Sequence, residues 1–454
     1  MILKTKLAGQ VFSFKNLTDV LAKANDEKAG DVLLDRAART VTERTAAKIV
    51  ISNLTLEDIY ENPVLPPEKD EVTRVLKKDL SMGIYSKIKK WTVGELRNWL
   101  LSHDTTGHDI LRASRGIEAE TAAAVAKIMT TMDLVSAASK IEVTGTCNTT
   151  IGIKGTLSFR NQPNHPSDDL DGIKASLCEG LSYGCGDAVL GVNPVEDTVD
   201  NTLAIMNLLY DFMEKWKIPT QNCVLAHVTT QMQAVEKGAR VCTLFQSLAG
   251  TQLANDGFGI NANILEEAYD CIHQLGQAPG PNLLYFETGQ GSEQSVDADE
   301  GVDMVTLEAR CYGFARRYKP FLLNNVSGFI GPETHYDGRQ IIRATLEDHF
   351  MGKLLGIPMG MAPCYTNHTK INQDDQEMAT LLAAMAGANY FMGLPVGDDV
   401  MLAYLDTSYH DDATMREILG RTPAPEFFEW MKGMGLMDEK GRLTPKAGDA
   451  SIFY

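Results

Sequence analysis

Apolar positions change their spacing once along this chain, near residue 145. Before that point they recur every three or four residues. The runs are Leu17 to Asn25, Val41 to Asn53, Leu56 to Glu61, Glu71 to Asp79, Val93 to Ser102 and Ile117 to Met132, the spacing of helices with one buried face. Ser52 and Thr55-Leu56-Glu57 supply helix-entry signals, and Pro63, Pro66 and Pro67 interrupt the series. No strand-like run is seen in this part. The pattern predicts a helical region over residues 1–140 packed on a larger body, with nothing in it that looks like chemistry.

From about 145 onward, short apolar runs alternate with amphipathic segments. The predicted strands are Thr156 to Arg160, Asp187 to Val192, Cys223 to Val228 and Thr243 to Phe245. Leu283 to Phe286, Phe321 to Leu323, Ile357 to Met361 and Asn389 to Met392 follow. Between them lie helices such as Val199 to Trp216, with an apolar stripe at Val199, Leu203, Met206, Tyr210 and Met213, and Val302 to Tyr318. Eight strand–helix units in about 250 residues predict an α/β fold, a (β/α)8 TIM barrel, in which the carboxyl ends of the strands carry function. An open doubly wound sheet would want a Gly-rich phosphate turn after its first strand, and none is present. The predicted organisation is a helical region over 1–140, the barrel over 141–405 and a helical tail over 406–454. Met415 to Leu419 and Glu426 to Met431 are the tail's helices.

Composition narrows the partners. The 454 residues carry a formal charge of −18, which argues against nucleic acid or an anionic membrane as partner. The start, Met1-Ile2-Leu3-Lys4, has no apolar secretory core, and no run is long enough to span a bilayer, so a cytoplasmic location is expected. The eight cysteines show no CxxC pair and read as reduced, buried small hydrophobes. The nine histidines show no HExxH or HxH spacing, so no protein-ligated metal is expected.

The strand ends are polar. Leu283-Leu284-Tyr285-Phe286 runs into Glu287 and then Thr288-Gly289-Gln290-Gly291. A carboxylate at the end of a strand buried on both faces has to be paired, since an isolated charge there costs several kcal/mol. A barrel would gather Arg160, Gln162, Asn193, Gln246, Glu287 and Ser295 at one mouth. One cation, one anion and several neutral polar groups suit a small polar molecule, with Glu287 able to take or give a proton. Taken singly, Arg160 with Glu287 reads equally as a structural ion pair, and Asn193-Pro194 as a turn. Glu347-Asp348-His349-Phe350-Met351-Gly352 approaches a D-x-H-x-x-G cobalt-ligating sequence. It sits in an amphipathic helix rather than in a strand-to-helix loop, which makes His349 a helix-face residue.

Several long stretches carry a resemblance. They include Asn148-Thr149-Thr150-Ile151-Gly152-Ile153, Gly191-Val192-Asn193-Pro194-Val195, Val224-Leu225-Ala226-His227-Val228-Thr229-Thr230-Gln231, Leu284 to Ser292, Gly328 to Glu333 and Leu346 to Lys353. In them the chain resembles, end to end, the large (alpha) subunit family of ethanolamine ammonia-lyase. The resemblance implies adenosylcobalamin as cofactor and a separate small (beta) subunit as partner. It also implies a homo-oligomer arranged as a trimer of dimers, with or without enclosure in a bacterial microcompartment. By the family's pattern Arg160, Gln162, Asn193 and Glu287 hold the amino alcohol, with Glu287 and Arg160 catalytic. Pro194, Gln246, Ser295 and Met401 match positions that contact the cofactor. The implied product is an aldehyde plus ammonia.

One position departs from that pattern. The family carries an ammonium-binding aspartate before Cys364-Tyr365-Thr366-Asn367-His368, and here Ala362 stands in its place. Across Arg160, Glu287 and position 362 the formal charge goes from about −1 to about 0, and a lost ion pair in such a pocket costs about a hundredfold in binding. The expectation is a divergent homologue preferring a larger amino alcohol, or an amine with an acidic group for Arg160. Two other classes compete: a fold-retaining pseudo-enzyme or assembly subunit, and a cobalamin-independent barrel lyase with Glu287 as base.

Overall fold

The computed structural model describes residues 1–454. Its centre is an eight-stranded parallel sheet, nearly closed into a barrel and surrounded by helices. The strands are β1 (Ser158–Asn161), β2 (Val189–Val192), β3 (Asn222–Val224), β4 (Leu244–Ser247), β5 (Leu284–Thr288), β6 (Leu322–Val326), β7 (Met359–Ala362) and β8 (Tyr390–Gly393). Nearly every strand residue is buried, because side chains on one face fill the barrel and those on the other meet the helices. That double burial is why the runs are apolar without alternation. The (β/α)8 expectation is met, with all eight predicted strands found within a few residues of their positions.

Each strand leads into a helix. These are α1 (Leu170–Ser182), α2 (Val199–Trp216), α3 (Val228–Glu236), α4 (Ala262–Leu275), α5 (Met304–Ala315), α6 (Gly338–Leu354), α7 (Gln373–Met385) and α8 (Tyr409–Leu419). The order around the sheet is β3-β2-β1-β8-β7-β6-β5-β4, leaving one seam between β3 and β4. Side-chain amides bridge it. Asn222 Oδ1 accepts from Cys242 N–H at 3.0 Å, and Gln231 pairs with both backbone groups of Phe245. Strand three was predicted too long at its end. Its last residues are the loop to α3, which begins at Val228 under an N-cap made by the His227 side chain.

The N-terminal segment differs from the all-helical expectation in two places. Lys4–Leu7 and Gln10–Ser13 form an antiparallel hairpin, turned by Ala8 and Gly9, both at positive φ (48° and 81°). The predicted helix Ile117 to Met132 is two helices, Ala119–Lys127 and Thr131–Ser139, the second opened by a Thr130–Asp133 capping box. Both N-terminal helices and barrel share one continuous hydrophobic core, from Phe14 to Phe453.

Buried ion pairs then fix the N-terminal segment against the barrel helices. Arg310 on α5 meets Glu120 at 2.6 Å and Asp70 at 2.7 Å, Lys127 meets Asp303 at 2.6 Å, and Lys28 meets Glu347 on α6 at 2.7 Å. At the opposite end Arg416 of α8 donates to Leu157 O and Gly184 O and pairs with Asp187, tying down the chain just before β1 and β2. What remains open is the face where the strands end.

Candidate active site

Four of the residues singled out from sequence are brought to one place at the carboxyl end of the strands. Arg160, third in β1, is wholly buried. Its guanidinium donates to Asn193 Oδ1 at 2.6 Å, to Gly191 O at 3.1 Å and to the Tyr285 hydroxyl at 2.8 Å. Glu287 Oε2 lies 4.0 Å from its Nη1. The approach to β2 depends on Gly191, where a Cβ would stand 2.8 Å from Arg160 Nε. Arg160 is therefore held by three neutral oxygens with one carboxylate at the edge of reach, and its Nε has no partner.

Glu287 is fourth in β5 and its side chain is 19% exposed, so it opens to the mouth rather than being sealed into a pair. Its one hydrogen bond is from Asn324 Nδ2 on β6 at 3.1 Å. Burial pushes its carboxyl above the usual carboxylate range, with Arg160 and the Asn324 hydrogen bond pulling the other way. A carboxyl so placed can exchange a proton with a ligand.

Gln162 completes the group through residues that sequence reasoning missed. Its Nε2 donates to Asp399 Oδ2 at 2.6 Å and to the Tyr404 hydroxyl at 2.8 Å, leaving Oε1 buried and unpartnered. Asn164 links the same carboxylate to β2. It donates to Asp399 Oδ2 at 2.8 Å and accepts from Asn193 N–H at 2.8 Å. Asp399 is itself fixed by the backbone N–H groups of Met401 and Leu402. Asn164, Asn324 and Asp399 all lie in strand-end stretches that are visibly polar in sequence. Nothing in the spacing tells which of their side chains turn inward.

The other sequence candidates sit around this network rather than in it. Gln246, at the end of β4, accepts from Val228 N–H at 3.0 Å and donates to Ser247 O at 3.1 Å, so it helps hold the seam. Ser295 is exposed on the short helix after β5, and Pro194 and Met401 are half-buried beside Asn193 and Asp399. Ala362 is wholly buried at the end of β7, in an apolar cluster with Cys364, Met392, Leu394 and Tyr404, flanked by Val326 and Leu402. His349 lies within α6, wholly buried. The mouth is thus polar on the β1, β2, β5 and β6 side and along the loop after β8, and apolar at the ends of β7 and β8 themselves. It can orient a small molecule with polar groups at one end and exchange a proton with it.

Comparison with known proteins shows a family match. The model described as "Ethanolamine ammonia lyase large subunit (EutB)" matches residues 12–446. Ethanolamine ammonia-lyase large subunits of Escherichia coli (strain K12) and Salmonella typhimurium are each 50% identical to this chain over 454 residues, covering 100% of both chains.

Proposed function

The chain belongs to the ethanolamine ammonia-lyase large-subunit family, and from that premise we propose that it is the catalytic large subunit of an adenosylcobalamin-dependent ammonia-lyase. It converts a small vicinal amino alcohol to an aldehyde and ammonia. The observation that carries this is the joining of Arg160, Gln162, Asn193 and Glu287 in one mouth. Its unpartnered buried atoms, Arg160 Nε, Gln162 Oε1 and Asn324 Oδ1, want one acceptor and two donors from a ligand.

The cofactor's fit is supported by the rim above that mouth. Exposed apolar side chains sit on the loops after β2 (Val195), β5 (Val296), β6 (Phe329) and β8 (Val396, Val400). Exposed apolar groups on several loops of one face favour covering by a large, mostly apolar surface. Phe329 also packs edge-on against Tyr404, at 5.4 Å between rings, and so connects rim to floor. Pro194, Gln246, Ser295 and Met401 are the residues we assign to hold the adenosyl side of the corrinoid. What adenosylcobalamin supplies there, when bound, is radical chemistry at the substrate's carbinol carbon. The small subunit is the partner we assign to the rest of the corrinoid and the rim. With it goes the family's trimer of dimers, which mass measurement of the reconstituted complex checks. No helix is long and apolar enough to cross a membrane.

The chain's own residues do three things in this reading. Asn193 and Gln162 orient the ligand's polar end. Arg160, fixed by Asn193, Gly191 and Tyr285, places a permanent charge where negative charge develops on oxygen as the carbonyl forms. Glu287, poised by burial, accepts the hydroxyl proton as the carbonyl forms, and the nitrogen, already an ammonium, leaves as neutral ammonia without a further proton.

The apolar wall at Ala362, Cys364, Met392 and Leu394 favours a substrate with an alkyl substituent over one with an acidic group, since a carboxylate against that wall would be desolvated without a partner. Steady-state assays with adenosylcobalamin and the cognate small subunit, over ethanolamine, 1-amino-2-propanol and 2-amino-1-propanol, test both statements. A substituted amino alcohol is expected to give the highest kcat/KM. Ethanolamine turning over best overturns the size preference, and no turnover or cob(II)alamin–radical signal with any amine overturns the lyase assignment.

A further inference from the structure

The loop beyond β8 crosses the ends of β7 and β8 as an extended strand. Leu405 exchanges backbone hydrogen bonds with Tyr365, just past β7, at 3.0 and 2.9 Å, and Leu394, just past β8, donates to Thr407 O at 3.1 Å. In extended chain successive side chains face opposite ways. Leu405 packs outward with Ile341, Tyr365, Ile371 and Ala379. Thr407 is buried with its hydroxyl on Met392 O of β8, beside a cleft it lines with Gln376, Thr380 and Leu381 of α7. Tyr404 faces the mouth, where Gln162 donates to it. Asp406, between Leu405 and Thr407, shares the inward face with Tyr404.

Asp406 is 6% exposed, and its two oxygens differ. Oδ1 accepts from Thr407 N–H at 2.8 Å, whereas Oδ2 is buried with no partner at all. A buried carboxylate oxygen lacking a donor is costly and rare in a folded protein. The titratable and charged groups within electrostatic reach of it are Tyr404 on its own segment, Cys364 past β7, Arg160 on β1, and Asp411 and Asp412 of α8. Arg160 is the one cation among them, and its Nη groups are committed to Asn193, Gly191 and Tyr285. Unpartnered acceptors thus outnumber donors in the mouth: Gln162 Oε1, Asn324 Oδ1 and Asp406 Oδ2 against Arg160 Nε. Three N–H donors on one positive centre is the complement of that set.

We propose that Asp406 is the carboxylate that grips the substrate's ammonium group in this protein. The carboxylate absent from β7 at Ala362 is supplied instead by the segment lying across β7 and β8, and the wall beside Ala362 is freed for an alkyl group. With Asp406 ionised by the arriving ammonium, Arg160, Glu287 and Asp406 carry a formal charge of about −1 among them, the value lost with position 362. The assignment rests on the amine substrate proposed above.

A second property follows from the burial of this carboxyl. Burial pushes it up to about 8, with Thr407 and Arg160 pulling down and Asp411 pushing up. An arriving ammonium therefore displaces a proton at neutral pH.

Calorimetric titration of 1-amino-2-propanol into the complex with small subunit and cobalamin, at pH 7 in buffers of different ionisation enthalpy, reads affinity and proton release together. Asp406→Asn and Asp406→Ala are expected to weaken binding about 30- to 100-fold and to abolish the release. Adding Ala362→Asp to Asp406→Ala is expected to restore at least about tenfold of the affinity, which a merely structural role for Asp406 would not permit. Binding within about threefold of the unaltered protein in both single variants overturns the assignment, as does a loss that Ala362→Asp leaves untouched. An unaltered complex that binds no amine overturns the lyase reading, and the role of Asp406 with it.

Discussion

Two wholly buried arginines, Arg310 and Arg160, are used in opposite ways. Every face of the Arg310 guanidinium is occupied. Nε donates to Gly250 O at 2.8 Å, Nη1 to Glu120 at 2.6 Å, and Nη2 to Asp70 at 2.7 Å and Thr73 at 2.9 Å. The carboxylates are committed too, since Asp70 caps the helix Glu71–Asp79 and accepts from Gln252 N–H. Arg160 has neutral partners, one carboxylate at 4.0 Å and an idle Nε. A charge matched on all sides holds two parts of a protein together. One left under-matched, beside other under-matched groups, is held ready for a ligand. The difference separates a structural ion pair from a catalytic one where burial alone does not.

The sharpest break in that comparison comes from Glu287. Glu287→Gln keeps shape and hydrogen-bonding capacity but cannot accept the hydroxyl proton. Turnover is expected to fall at least about a thousandfold, with thermal unfolding unchanged. Arg310→Met acts the other way. It leaves Asp70 and Glu120 buried without a counter-charge, and chemical denaturation is expected to show a loss of about 3–5 kcal/mol. Arg160→Met, the matched change in the mouth, is expected to lower kcat about a hundredfold while moving stability by about 1 kcal/mol or less.

The pH dependence of stability sharpens the comparison further. The Asp406 carboxyl, at about 8 when folded, lies above the ordinary unfolded value of about 4. Between those values the folded state holds a proton that the unfolded state has lost, so stability declines as pH rises through the window. Asp406→Asn removes that decline, so its effect on the stability of the unliganded protein is expected to be about 3–4 kcal/mol more favourable at pH 8 than at pH 5. Denaturant midpoints at the two pH values read this directly. The smallest effect belongs to Gly191→Ala, whose new methyl displaces the Arg160 guanidinium from β2. A fall of about tenfold in kcat/KM with a shift of a few degrees in Tm is expected.

Some of this was legible before any coordinates. The barrel strands were visible because burial on both faces makes them short apolar runs, and Glu287 was visible because a charge ending such a run is out of place. The N-terminal hairpin was not. Lys4 and Lys6 alternate with Thr5 and Leu7 on a largely exposed ribbon, where the apolar signal is weak, and its one clear cue is the Ala8-Gly9 turn. The break between Lys127 and Thr131 was hidden by continuous apolar spacing, although Thr130 and Asp133 stand at capping-box distance.

In the mouth, the sequence marked Arg160, Gln162, Asn193 and Glu287 as polar groups at strand ends. It did not distinguish them from Asn164, Asn324, Asp399 or Asp406, and it pointed to a lost charge at Ala362. Periodicity and residue type decided the fold, because burial on both faces of parallel strands leaves a local trace in the chain. Only the tertiary structure decided which charges are matched and which wait. Partners such as Gln162 and Asp399 lie more than two hundred residues apart in sequence, and whether they meet is set by strand order and by which way a loop turns its side chains.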